Sequence, residues 1–173
     1  MLFWQALLGL APQPVFDLPD PFGLIQSKAM TDPNGSLRLT FNISESRDTV
    51  TNRFVSAFAD AGVHHIALRT DDAEATMRVL REHQAPTLDI PPNYYEDVAS
   101  RLPLPTKALS VMEGLGILYD ANADGEFLHG YTETFKQRFF FEVVERRRGY
   151  AGFGAANAAV RIAAQARRYV PTW

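Results

Sequence analysis

Apolar residues at Phe3, Trp4, Leu7, Leu8 and Leu10 recur at helical spacing, so Met1–Leu10 is predicted to be a buried apolar helix. Gly9 is its expected stop, and Pro12 and Pro14 prevent continuation. Short extended segments follow at Val15–Leu18, Leu24–Ala29 and Leu37–Ile43, separated by turn clusters at Pro19–Gly23 and Asp32–Gly35. In the third, Leu37, Leu39 and Phe41 alternate with polar neighbours, the period of a half-buried strand. Val50, Phe54, Val55 and Phe58 give Ser44–Ala61 a helical stripe that closes near Gly62.

A second run begins at the β-rich Val63–Arg69. It leads through a capping-box-like Asp71-Asp72-Ala73-Glu74 into a helix whose inner stripe is Ala73, Thr76, Met77 and Leu80. Pro91 and Pro92 precede a short helix at Tyr94–Leu102, and three strands are predicted at Gly116–Asp120, Glu126–Thr132 and Phe139–Arg147. Ala155–Arg168 closes as an Ala-rich helix, with Arg161, Gln165 and Arg168 expected on its wet side. The order is helix–β–β–β, then β–helix–β–β–β, then helix. It describes two related modules, 1–62 and 63–173, packed as one compact domain, the first without an opening strand.

Composition narrows the chemistry. With 46% hydrophobic and 21% charged residues the 173-residue chain is that of a globular protein, and a net charge of -3 gives no reason to expect nucleic acid or an anionic membrane as partner. The absence of cysteine excludes disulfides, thiol nucleophiles and Cys-ligated zinc, so a metal must be held by His, Asp or Glu. The apolar start lacks a basic leader and is too short to span a bilayer; a cytoplasmic location is expected.

Two motifs read as backbone devices. Asp120–Gly125 matches the opening of a calcium loop, but Tyr131 stands where the bidentate Glu belongs, so a hairpin turn is expected. Gly149-x-x-Gly152-x-Gly154 is a permissive strand-to-helix passage rather than a nucleotide loop, because too little chain follows for the rest of that fold.

The chemistry-bearing candidates are histidines and one carboxylate. Neighbouring strand residues point to opposite faces, so only one of His64 and His65 enters a given pocket. His64 groups with Ile66 and Leu68 as the bulkier set expected against helices; His65 travels with Ala67 and Arg69. Glu142, inside Phe139-Phe140-Phe141-Glu142-Val143-Val144, is costly to bury unless compensated by a metal or by an arginine such as Arg69 or Arg138. His129 faces the same way as Phe127 and Tyr131.

Gly62–Leu68, Pro92–Tyr95, Gly116–Asp120, Phe140–Val143 and Gly152–Asn157 together resemble the C-terminal half of 4-hydroxyphenylpyruvate dioxygenases. Through Arg138–Glu142 and Ala159–Gln165 the chain resembles still more the dioxygenase-like domain fused behind a TIM-barrel 3-dehydroshikimate dehydratase. The resemblance implies an α+β vicinal oxygen chelate fold of paired βαβββ modules around a divalent metal, Fe(II) foremost with Mg, Mn or Co as alternatives. It implies His65 and Glu142 as two metal ligands and a third histidine on the strand that would open the first module; His129 is the local residue expected to substitute for that third ligand. Ser27, Asn42, His129 and Phe153 fall at substrate-pocket positions. Its expected ligand is a small aromatic or 2-oxo acid, and its expected partner a second copy or an upstream domain. Three functions follow as expectations: a metal-binding accessory domain of a dehydratase in aromatic catabolism, an Fe(II)-dependent 2-oxo acid dioxygenase, or a structural module with a decayed site.

Overall fold

The computed structural model describes residues 1–136 and 138–167. Arg168, expected on the wet side of the last helix, lies outside them. The chain divides into two units, Met1–Asp60 and Ala61–Trp173, each with its own sheet.

In the first unit, α1 (Leu2–Leu8) stops at Gly9, which takes the left-handed conformation at φ 64°. None of its residues is buried, and Leu2 remains 82% exposed, so the expected buried opening helix is not realised. Trp4 lies against Phe41 with ring centroids 6.3 Å apart. β1 (Ala11–Asp20), β2 (Gly23–Thr31) and β3 (Arg38–Ile43) form an antiparallel sheet in that order. β1 starts earlier than the pattern predicted because an edge strand tolerates Pro12 and Pro14, where the register slips between Pro12 and Val15. α2 (Val50–Phe58) is shorter than predicted, since Thr49 caps it by accepting from the Asn52 amide. Asn52 Nδ2 in turn donates to the Ser44 and Ser46 carbonyls and holds the preceding residues in a bend.

The second unit comprises β4 (His65–Arg69), α3 (Ala73–Glu82), α4 (Pro92–Arg101), α5 (Thr106–Leu115), β5 (Leu118–Ala121), β6 (Gly125–Tyr131) and β7 (Phe140–Arg148). A 3₁₀ turn (Ala155–Asn157) then leads into α6 (Ala158–Arg167). The sheet runs β4-β7-β6-β5, with β4 parallel to β7 and the other pairs antiparallel, which is one βαβββ module. α5 was not anticipated, although Pro105 at its N-cap and Gly116 in the left-handed conformation at its C-cap bracket it.

α3 covers the centre of one sheet face. Met77 presses on Gly130, where an added Cβ would lie 2.7 Å from the sulfur. Asp72, not Asp71, caps α3 by accepting from the Ala75 amide at 2.8 Å, while Glu74 pairs with Arg78. The buried Glu145 carboxylate accepts from the Ala73 amide at 2.8 Å and ties β7 to the helix start. That cover does not extend over the sheet edge: Ile66 is 44% and Leu68 53% exposed, so they are not the helix-backed set the sequence suggested. Among the described residues no helix is long and apolar enough to cross a membrane.

Candidate metal centre

Strand pairing collects the candidates. His65 lies opposite Phe140 in the β4/β7 ladder, Tyr131 opposite Glu142 and His129 opposite Val144 in the β6/β7 ladder. Alternation therefore sends His65, His129, Tyr131 and Glu142 to one sheet face. Glu142 is 7% exposed, and its Oε2 stands 3.6 Å from His65 Nε2. Its Oε1 lies 2.8 Å from His129 Nδ1.

The environment of His129 fixes its proton. Asn157 Nδ2 is 3.1 Å from the Tyr119 carbonyl, which only accepts, so that nitrogen is the amide donor. Its other hydrogen meets His129 Nε2 at 3.0 Å. Nε2 is thus an acceptor, and the ring proton sits on Nδ1 and is donated to Glu142. The Tyr94 hydroxyl accepts from the Tyr119 amide at 2.8 Å and lies 3.1 Å from Asn157 Oδ1. Both ring nitrogens of His129 are engaged within the protein, Nδ1 with Glu142 and Nε2 with Asn157.

Burial pushes the Glu142 pKa up, but the hydrogen bond from His129 outweighs it, with smaller contributions from His65 and the Tyr131 hydroxyl, and holds the carboxyl below its usual range. Tyr131 is pushed well above its ordinary value by burial and by Glu142. Burial pushes His65 down to about 4 against the opposing pull of Glu142, and Arg161 lowers it further. His64 falls to about 2, through burial and then Arg161 and His65. Uncharged at neutral pH, His65 keeps a lone pair for a cation, while its Nδ1 lies 3.4 Å from His64 Nδ1 and its ring stacks on Phe140 at 4.9 Å.

The donor set fits a divalent metal in two positions. Two ligand atoms each about 2.1 Å from a shared ion stand roughly 3.0–3.4 Å apart, close to the His65–Glu142 separation. A 3.6 Å gap is also too long for a hydrogen bond between them. Among the described residues no cluster of three His, Asp or Glu side chains surrounds one point. Neither Arg69 nor Arg138 compensates Glu142, whose partners are His129, His65 and Tyr131; Arg69 faces Asp71 at 3.9 Å.

Ser27 and Asn42 belong to the first unit, where they are register partners across β2 and β3; Ser27 is buried and Asn42 Oδ1 has no hydrogen-bond donor among the described residues. Phe153 is half-buried in the loop after β7. Asp120–Gly125 is the β5/β6 turn, with Asn122 Oδ1 accepting from the Asp124 and Gly125 amides at 3.0 Å. Sequence reasoning missed Arg161 and Asn157 as parts of this site. Arg161 is 7% exposed, not solvated, and its guanidinium lies over the Phe140 and Tyr131 rings at 5.5 and 5.8 Å.

Residues 1–100 match the model of the Glyoxalase/Bleomycin resistance protein/Dioxygenase superfamily, more than half of the chain. The chain belongs to this superfamily. Among curated superfamily relatives, it is 44% identical over 168 residues to a 3-dehydroshikimate dehydratase of Pseudomonas putida, covering 96% of itself and 26% of that protein. It is 32% identical over 157 residues to a 4-hydroxyphenylpyruvate dioxygenase of Pseudomonas aeruginosa, covering 90% of itself and 44% of that enzyme. The chain thus spans about a quarter of the dehydratases and less than half of the dioxygenase. A solved xylose isomerase-like TIM barrel/4-hydroxyphenylpyruvate dioxygenase fusion protein matches at TM-score 0.77 and 41% identity, covering 96% of this chain and 26% of that one. A mutant of 4-hydroxymandelate synthase from Streptomyces coelicolor matches at TM-score 0.81 with 19% identity, covering 96% of this chain and 49% of that one, and supports the vicinal oxygen chelate fold alone.

Proposed function

We propose that the chain is the divalent-metal-binding, 4-hydroxyphenylpyruvate dioxygenase-like part of a 3-dehydroshikimate dehydratase-type protein of aromatic catabolism. Fe(II) is the preferred ion and the cytoplasm the working compartment. His65 and Glu142 are two of its ligands, and the third comes from outside the cluster described above, from an upstream domain or a second copy of the chain. The observation that carries this reading is a buried carboxylate with one oxygen clamped by His129 while the other faces an uncharged histidine at 3.6 Å. When bound, the metal supplies Lewis-acid chemistry and open positions for a chelating ligand. The protein's share is positioning. His129 and Tyr131 fix the Glu142 carboxylate, Phe140 holds the His65 ring, and Phe153 belongs to the pocket for a small aromatic or 2-oxo acid.

The test is metal content by mass spectrometry after purification with Fe(II), Mn(II) or Mg(II), for the chain and for His65→Ala. Retention by the parent and loss on substitution is the expected result; equal metal in both overturns the assignment. The similarity to a 4-hydroxyphenylpyruvate dioxygenase favours a second reading, Fe(II)-dependent oxygenation of a 2-oxo acid. Oxygen uptake with 4-hydroxyphenylpyruvate separates the two.

A further inference from the structure

Arg161 is a buried cation whose compensation is incomplete. No carboxylate of the described residues lies within ion-pair distance of it; its single side-chain hydrogen bond runs from Nη1 to Gln165 Oε1 at 2.7 Å. Contact with the Tyr131 and Phe140 faces offsets part of the desolvation cost of an unpaired guanidinium, not the whole.

The bond to Gln165 uses the guanidinium on one side only. Nε and Nη2, which lie along the opposite edge as two parallel donors, have no acceptor among the described residues, and this is the edge that grips a carboxylate in bidentate fashion. Gln165 adds a third donor. Because its Oε1 is committed to Arg161, its amide nitrogen is defined, and that nitrogen is buried without any hydrogen-bond partner. Arg161 and Gln165, one turn apart on α6, therefore present donors without a protein acceptor among the described residues, of which Gln165 Nε2 is fully buried. Native interiors rarely leave such groups unmet.

We propose that Arg161 and Gln165 form a receptor for the planar carboxylate of a small organic acid, held through the Nε–Nη2 edge of Arg161. The flanking rings of Tyr131 and Phe140 suit a flat group better than a tetrahedral anion, and the neighbouring His64 and His65 place the bound acid beside the candidate metal centre. The receptor does not depend on the metal assignment, because all its donors belong to α6.

The experiment is isothermal titration of the metal-free chain, under chelator and at constant ionic strength, with benzoate, its neutral isostere benzamide, and inorganic phosphate. Benzoate is expected to bind at least about tenfold more tightly than either, with a shift of the Arg161 Nε–H resonance in ¹H–¹⁵N spectra. Arg161→Met is expected to lose benzoate binding while the ligand-free variant melts no lower than the parent, because it removes an unpaired buried charge. Gln165→Met, which leaves the cation in place, is expected to weaken benzoate by about threefold or more. Benzamide or phosphate equal to benzoate, unaltered benzoate binding in Arg161→Met, or no binding by the parent overturns the proposal. Metal loss in His65→Ala tests the other assignment separately.

Discussion

Asn157 Nδ2 stands 3.0 Å from His129 Nε2 and by that contact decides which nitrogen of His129 carries the proton given to Glu142. A residue in a 3₁₀ turn thus orients a carboxylate on β7 through a histidine on β6. Such outer hydrogen bonds set the geometry that inner ligands offer to a metal.

Replacing Asn157 with Leu strands His129 Nε2 and takes a partner from the Tyr94 hydroxyl, so a stability loss of about 1–3 kcal/mol is expected by urea denaturation. Asn157→Asp reverses the polarity facing Nε2 and is expected to add a proton there, visible in the His129 ¹⁵N shifts. Unchanged ring shifts in the Asp variant contradict the relay.

Gly154 combines a φ of 65° with close approach, since an added Cβ would sit 2.7 Å from Phe127 Cε1 and 3.0 Å from His129 Cε1. Gly154→Ala is therefore expected to cost about 1–3 kcal/mol and to weaken metal retention by displacing His129. Thermal melting and metal analysis on the same preparation check both.

His64 and His65 titrate near 6.5 when unfolded but at about 2 and 4 in the fold. Below pH 6.5 the unfolded chain binds more protons, so stability is complete above that value and falls with acidification toward pH 4, on the order of 1.4 kcal/mol per pH unit per histidine. Glu142, held below its ordinary value, adds a loss of the same sign as pH falls through its folded pKa. Urea midpoints under chelator at pH 7.5, 6 and 5 are expected to decline. The double variant His64→Gln, His65→Gln should flatten the decline between 6.5 and 5.

Glu145→Ala removes the acceptor of the Ala73 amide at the start of α3, and a loss of about 1–2 kcal/mol is expected. Because Glu145 lies on the helix-covered face, metal binding should survive; metal loss comparable to His65→Ala would contradict the separation of the two faces.

Much of this architecture was legible in local sequence. Proline and glycine punctuation, period-2 strands and the α3 stripe depend on neighbours in the chain, and they gave the αβββ and βαβββ order that the structure shows. Alternation set His65 apart from His64 and grouped His129 with Phe127 and Tyr131. Local pattern failed where burial depended on distant elements. Ile66 and Leu68 have an inward-facing pattern, yet α3 covers the middle of the sheet and leaves its β4 edge open. Arg161 has the spacing of a solvated residue, yet α6 lays it across Phe140 and Tyr131.

By itself the sequence determined the elements, the family resemblance, and His65 and Glu142 as the pair to examine, because residue type, spacing and alternation are local properties of the chain. Only the tertiary structure decided what each polar group meets. Tautomer, ion pairing and desolvation depend on atoms tens of residues apart, and it is these that made His129 a partner of Glu142 and left Arg161 with a free edge.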